Sequence, residues 1–389
     1  MTNSVEMNER VCGQVRGTTR RAFVAGALAG MAALFAYAAM PGSVFAETAA
    51  DDKKAEGDAG KDGEAGVKTV TDCAGREVEV PTDVKTCVAI HPFATQIAYR
   101  LVGTDGLLAV DNVFTKVYLP ENATPYYTEE EYKAFNALPV TTVWMKGADE
   151  EQLLSLAPDV IFTLTADTNA DQLQKDLGIP VVCLYKSPAS SVPQSFIVAG
   201  EVLNKQELAQ SMADWWQSTE DRIAADIKDI AEEDRPRVMY VGKSGDIMAV
   251  PGKDTVYGSV INESGCVSVS DEVEDSTNES VDVTMEQMLL WNPDAIVCQT
   301  SDERETIMAS EEWSALEAVK NGEVYVPLQY CGFDGWFSVL GTDWLNATVV
   351  HEGDEEYHKQ LIDDMRDYYE IFYGRTLTDE ELEQEATTW

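Results

Sequence analysis

Residues 151–165 read EQLLSLAPDVIFTLT and residues 286–300 read EQMLLWNPDAIVCQT, with seven of fifteen positions identical. Each copy reads as a short helix, a Pro-Asp stop and a buried strand, closing on Thr165 or Thr300. Proline lacks the N–H and its ring clashes with the preceding turn, so it ends the helix and sends the chain into the strand. A unit that appears twice, far apart, predicts two similar α/β lobes.

The stretch between the copies predicts how the lobes are joined. From about Ser191 to Asp234 there is no strand signal. Phe196, Ala199 and Leu203 lead to a break at Asn204, and then Leu208, Met212, Trp215, Ile223, Ile227 and Ile230 recur at mostly helical spacing. At 1.5 Å per residue the piece from Gln206 to Ile230 spans roughly 38 Å, the size of a strut between lobes. In open α/β sheets ligands sit outside the carboxyl ends of the strands, so two lobes facing each other make one cleft.

Elsewhere strands and helices alternate. Thr69 to Pro81 predicts a hairpin. Apolar runs at Cys87–Ile90, Leu107–Val110, Val140–Trp144, Val160–Leu164 and Val181–Tyr185 predict a parallel sheet covered on both faces. Val238–Val241, Ala295–Cys298 and Val324–Val326 predict a second sheet. The expected organisation is a first lobe over 68–190, a connecting helix over 191–234, a second lobe over 235–352 and an acidic helical tail over 353–389.

The first 67 residues belong to neither lobe. Arg16, Arg20 and Arg21 precede an apolar stretch from Ala22 to Met40, followed by Pro41-Gly42 and the Val44-Phe45-Ala46 cut site. This order predicts a signal peptide over 1–46, with Thr19-Arg20-Arg21-Ala22-Phe23-Val24 similar to the twin-arginine export motif. Residues 47–67, rich in Ala, Asp, Gly, Lys and Glu, predict a flexible spacer. The chain is therefore expected outside the cytoplasmic membrane, at its outer face or in the periplasm. With 69 acidic against 28 basic residues, its net charge of -41 repels phosphate backbones and excludes nucleic acid as a partner.

Chemistry is sparse. There is no G-x-S-x-G elbow, Walker loop or H-E-x-x-H, and three histidines leave little room for acid–base work, so no catalysis is expected. His351, Glu355 and His358 read as a solvated acidic helix before a metal site. Six cysteines follow the leader: Cys73, Cys87, Cys183, Cys266, Cys298 and Cys331. Cys183 and Cys298 read as buried thiols, and Cys73 with Cys87 is the first disulfide to consider. Candidate ligand contacts come from the strand exits: His91, Trp144, Met145, Tyr185, Lys186, Lys243, Ser244 and Tyr257, then Tyr330, Phe333 and Trp336 in a late loop. Flat rings with hydroxyl and indole groups suit a large ring or chelate.

The chain resembles the substrate-binding proteins of ABC importers for iron–siderophore, haem and cobalamin. The resemblance rests on Val70-Thr71-Asp72-Cys73-Ala74-Gly75-Arg76 leading to Pro81, both repeat copies, WSALEAVKNGEVYVP at 313–327, and Leu340-Gly341-Thr342-Asp343-Trp344-Leu345. It implies two Rossmann-like lobes on a rigid helix, a shallow cleft, a monomer without cofactor, and delivery of a bound metal chelate to a membrane permease. It also implies one docking carboxylate per lobe: Glu151 in the first, and in the second Glu263, beside Asn262 at the matching position. The chain departs from the family's single-membrane pattern in having no lipid-modified cysteine between Met40 and Asp51. Few arginines, with Arg304 the one in a promising loop and Lys146, Lys186 and Lys243 as help, favour a weakly charged siderophore, a corrinoid or haem over a highly anionic ligand. An oxyanion such as molybdate or tungstate, held by helix N-termini, is the alternative in the same fold. A surface adhesion or metal-binding protein without a transport role is the alternative outside it.

Overall fold

The computed structural model describes residues 66–119, 126–242, 245–328 and 333–386, with the side chain of Trp144 excepted. The leader, nearly all of the spacer, Lys243, Ser244, Tyr330 and Cys331 lie outside the described residues.

The first lobe opens with an antiparallel hairpin, β1 (Val67–Thr71) and β2 (Glu77–Pro81). It continues as β3 (Cys87–Ala89), α1 (Pro92–Gly106), β4 (Leu107–Asp111), α2 (Glu129–Ala137), β5 (Val140–Thr141), α3 (Glu150–Leu156), β6 (Val160–Leu164), α4 (Ala170–Leu177) and β7 (Val181–Leu184). The strands form one parallel sheet in the order β5-β4-β3-β6-β7. Every residue of β3, β6 and β7 is buried, as strands covered on both faces require.

The connection is a pair of helices, α5 (Val192–Leu203) and α6 (Gln206–Ile227), turned at Asn204 in the left-handed conformation. They pack on each other so closely that a Cβ at Gly200 would collide with Ala209. The strut is therefore α6 alone, 22 residues or roughly 33 Å. The second lobe follows as β8 (Arg237–Val241), β9 (Ala249–Val250), α7 (Val256–Glu263), β10 (Val267–Ser268), β11 (Val281–Asp282), α8 (Met285–Trp291), β12 (Ala295–Cys298), α9 (Ser301–Ala309), α10 (Glu317–Asn321) and β13 (Val324–Tyr325). Its parallel sheet runs β10-β8-β12-β13.

The two repeat copies are α3–β6 and α8–β12, and they are built alike down to the backbone. Each helix ends on a left-handed residue before the proline, Ala157 at φ 47° and Asn292 at φ 40°. Each Pro-Asp aspartate then pins the start of the central strand. Asp159 Oδ2 accepts from the backbone N–H of Lys85 and Thr86 at 2.8 and 2.9 Å. Asp294 Oδ2 accepts from Arg237 N at 2.8 Å.

Beyond β13 come α11 (Ser338–Leu345), α12 (Glu355–Tyr368), a π-helical turn over Tyr369–Tyr373, and α13 (Asp379–Ala386). This acidic segment hides an aromatic face that reaches across the molecule. Tyr368 packs on Trp215 of the strut at 5.4 Å, and Phe372 on Phe196 of α5 at 5.6 Å. Tyr373 meets Tyr127 of the first lobe at 5.8 Å, and Arg100 of α1 donates Nε–H to the carbonyl of Ile371 at 2.6 Å. Arg222 of α6 bridges Asp343 and Asp364, each at 2.6 Å.

The Cys73–Cys87 disulfide does not form. Both are free, buried thiols, as are Cys183, Cys266 and Cys298. Cys73 Sγ faces Ser195 Oγ at 3.7 Å while Cys87 Sγ donates to the carbonyl of Gly106 at 3.7 Å, so the two side chains point to different partners. Among the described residues no helix is long and apolar enough to cross a membrane, and no group of three His, Cys, Asp or Glu is placed to hold a metal ion. His351 instead reaches Asp226 of the strut at 2.6 Å and stacks on Tyr357, and His358 meets Glu383 at 2.9 Å.

Candidate functional site

Each sheet reverses its strand order once. In the first lobe the chain builds outward from β3 through β4 to β5, then returns to β6 on the other side. In the second lobe the reversal falls between β8 and β12. Helices on either side of a reversal diverge and leave a crevice beyond the carboxyl ends of the strands. His91 follows β3 there, Tyr185 and Lys186 follow β7, and Gly242 follows β8.

His91 caps α1. Its Nδ1 accepts from the backbone N–H of Phe93 at 3.2 Å, which places the proton of the neutral ring on Nε2. Burial, together with the Lys186 charge, lowers its pKa to about 3 against the opposing pull of Asp334, so the ring is uncharged at any ordinary pH. Lys186 crosses to the other lobe: its Nζ lies 2.6 Å from Asp334 and 3.8 Å from Glu279. In the second lobe Glu303 accepts from the N–H groups of Gln299 and Thr300, both at 2.9 Å, and fills the space over Gly242, whose φ of 85° and lack of a Cβ that position requires.

Several expected contacts are not at this crossing. Tyr257 is fully buried and packs at a tilt on Tyr240, ring centroids 4.9 Å apart, and Tyr240 in turn packs on Phe333 at 5.3 Å. Trp336 is fully buried too. Its Nε1–H donates to Tyr373 Oη at 2.9 Å and its ring lies against Phe372. These three rings have their faces covered by protein, because each found an aromatic partner distant in sequence. Arg304 donates to the carbonyl of Val324 at 2.7 Å and is held to the second sheet. Tyr185 is half-buried, and Met145 and Lys146 are exposed. Unforeseen members of the crossing are Asp334, Glu279 and Gln96. Gln96 carried a signal: it is the one amide in the apolar run Phe93-Ala94-Thr95-Gln96-Ile97-Ala98.

The expected docking carboxylates sit in different surroundings. Glu151 is exposed at the second position of α3. Glu263 is half-buried at the end of α7, where burial and the charge of Glu220 on α6 push its carboxyl up to about 7. The repeat counterpart of Glu151 is Glu286, exposed at the second position of α8. Crossover helices run against the strands they feed, so Glu151 and Glu286 both stand on the side of the carboxyl ends. One turn on, Leu154 and Leu289 are exposed in both copies, with Leu290 beside the latter.

The sequence matches the periplasmic binding protein family over residues 87–327, more than half of the chain. The chain belongs to that family. As a periplasmic binding protein it is of the substrate-binding kind that serves ABC transporters. It is 24% identical over 262 residues to the uncharacterized ABC transporter substrate-binding lipoprotein YvrC of Bacillus subtilis, covering 66% of this chain and 77% of that protein. Among solved structures, an ABC transporter solute-binding protein from Sulfurospirillum deleyianum superposes with a TM-score of 0.71 at 21% identity, covering 82% of this chain and 98% of the other. The molybdate-bound protein MolA of Haemophilus influenzae superposes with a TM-score of 0.67 at 19% identity, covering 80% and 99%. At these identities the structural likenesses establish the fold: two α/β lobes on a helical backbone.

Proposed function

We propose that this periplasmic binding protein is the extracytoplasmic receptor of an ABC importer, that it captures a weakly charged metal chelate between its lobes, and that it hands the chelate unaltered to a membrane permease. The observation that carries the ligand class is the charge state of the interlobe crossing. His91 is neutral, Lys186 is matched by Asp334, and Arg304 is turned to the second sheet. A highly anionic ligand would favour a cluster of guanidinium groups, and the cations described at the strand exits are already engaged. The leader over 1–46 supports an extracytoplasmic location, and the exposed pair Glu151 and Glu286 supports docking through one carboxylate per lobe.

The oxyanion alternative is kept in view by the molybdate-bound MolA, which shares the fold. Native mass spectrometry of the exported protein against ferric siderophores, haem, cobalamin and molybdate separates the two. The expected result is a one-to-one complex with a chelate. A complex with molybdate alone would replace this reading with the oxyanion one. Recovery of a chemically altered chelate would overturn the transport role.

A further inference from the structure

Glu303 stands where the second sheet reverses. The reversal between β8 and β12 opens a crevice beyond their carboxyl ends, and Gly242 and Gln299-Thr300 are the residues that leave those two strands. The Glu303 carboxylate spans that gap. Its Oε2 accepts from the N–H groups of Gln299 and Thr300, both at 2.9 Å, and a Cβ on Gly242 would collide with both of its oxygens. An ordinary capping glutamate keeps to its own turn, as Glu381 does in accepting from the N–H and hydroxyl of Thr378. Glu303 reaches one residue further back and across to the neighbouring strand. The first sheet is closed in a similar way at its own reversal, between β3 and β6. There buried Asp167 accepts from the Asn169 N–H at 3.0 Å and the Thr163 hydroxyl at 2.9 Å, and His91 accepts from the Phe93 N–H.

Amide groups at the start of a helix, beside a strand reversal, are where an open α/β sheet holds an anionic ligand group. Here the chain supplies that anion itself. We infer that Glu303 is a specificity residue, an internal occupant of the second-lobe crevice that turns the cleft against anionic ligand groups. This rests on reading the interlobe crossing as the ligand site, and it narrows that reading. The carboxylate acts twice. It takes the two N–H donors that an oxyanion would need, and it sets a like charge against any anion that comes near. An oxyanion would have to displace Glu303 and then sit beside the displaced charge. A ligand edge that is uncharged, or that brings hydrogen-bond donors, meets no such barrier. Glu303 is half-buried rather than sealed in, so it acts on an incoming ligand without any movement of the lobes.

The test is calorimetric titration of the exported protein, E303Q and E303A with sodium molybdate, with melting curves to show that each variant folds. E303Q removes the charge and keeps an oxygen for the two N–H groups, whereas E303A also vacates the space over Gly242. E303A should bind molybdate at least tenfold more tightly than the parent, with E303Q between them. If E303A binds no better than the parent (or E303Q, should the alanine variant not fold), the inference is overturned and the chelate reading stands. Tight molybdate binding by the parent overturns both, since the crevice then admits an anion with Glu303 in place. Molybdate gained by E303A from a parent that takes none of the chelates sustains the role of Glu303 and removes the chelate reading.

Discussion

Lys186 and Asp334 meet at 2.6 Å, one at the exit of the last strand of the first lobe and the other in the segment that leaves the second. Their side chains are 18% and 10% exposed, so water screens the pair weakly. Such a pair adds little net stability over an apolar replacement, but breaking it strands a charge. It therefore acts on specificity, holding one arrangement of the lobes against others.

Removing one partner should expose that asymmetry. K186M leaves the Asp334 carboxylate without its cation and should cost about 1–3 kcal/mol. Adding D334N should return a large part of it. Urea unfolding of the two single variants and the double gives the coupling. Additive effects would show that the contact does not hold the lobes.

Stability should fall as pH rises from 5 to 8. Glu385 is buried, with Tyr126 and Tyr369 donating to its Oε2 at 3.3 and 3.4 Å. Burial, partly offset by those hydrogen bonds, raises its pKa from 4.5 to about 7. The folded state holds this proton more tightly than the unfolded one, so the contribution is full below about pH 4.5 and is lost as pH passes 7. A shift of this size is worth up to about 3 kcal/mol. E385Q should flatten the slope of melting temperature against pH, leaving the part due to Glu220 and Glu263, which burial also raises to about 7. An unchanged slope in E385Q would show that the carboxyl is hydrated.

Charge reversal at the rim should separate docking from binding. The double variant E151K/E286K should keep ligand affinity and lose stimulation of the transporter's ATPase in proteoliposomes. E263K serves as the contrast, since its site faces Glu220 and not the rim. Normal stimulation by E151K/E286K would remove these carboxylates from the interface.

The repeated aspartates should be unequal. Asp159 accepts from two backbone N–H groups and from Thr86 Oγ1 at 3.2 Å, whereas Asp294 accepts from one backbone N–H. Each lost bond costs about 1 kcal/mol. D159A should therefore destabilise more than D294A in chemical denaturation, and the reverse order would show that the second lobe depends more on its strand clamp.

The parts legible in the sequence are those written in local backbone chemistry. Pro158 and Pro293 end their helices wherever the lobes lie, and Asn204 marks its turn because a short polar side chain tolerates the left-handed conformation. What was not legible depends on distant pairing. An aromatic residue after a strand meets either a ligand or the protein, and nothing near Tyr257 or Trp336 announces Tyr240 or Tyr373. Glu263 sits beside the expected docking position, yet its exposure is decided by α6. The C-terminal segment reads as an acidic helical tail because its charges dominate. The signal against that reading was Tyr368, Tyr369, Phe372 and Tyr373, which recur at one-turn spacing and fall on one helix face.

That face has a consequence for how the protein comes into being. Tyr126 closes on Glu385 and Arg100 on Ile371, so the first lobe waits for the last helix before its aromatic side is covered. A ribosome that has finished both sheets and the strut has still not made the residues that complete the fold. The first lobe is therefore not an independent folding unit along the chain: its aromatic side is closed by residues more than 200 positions further on.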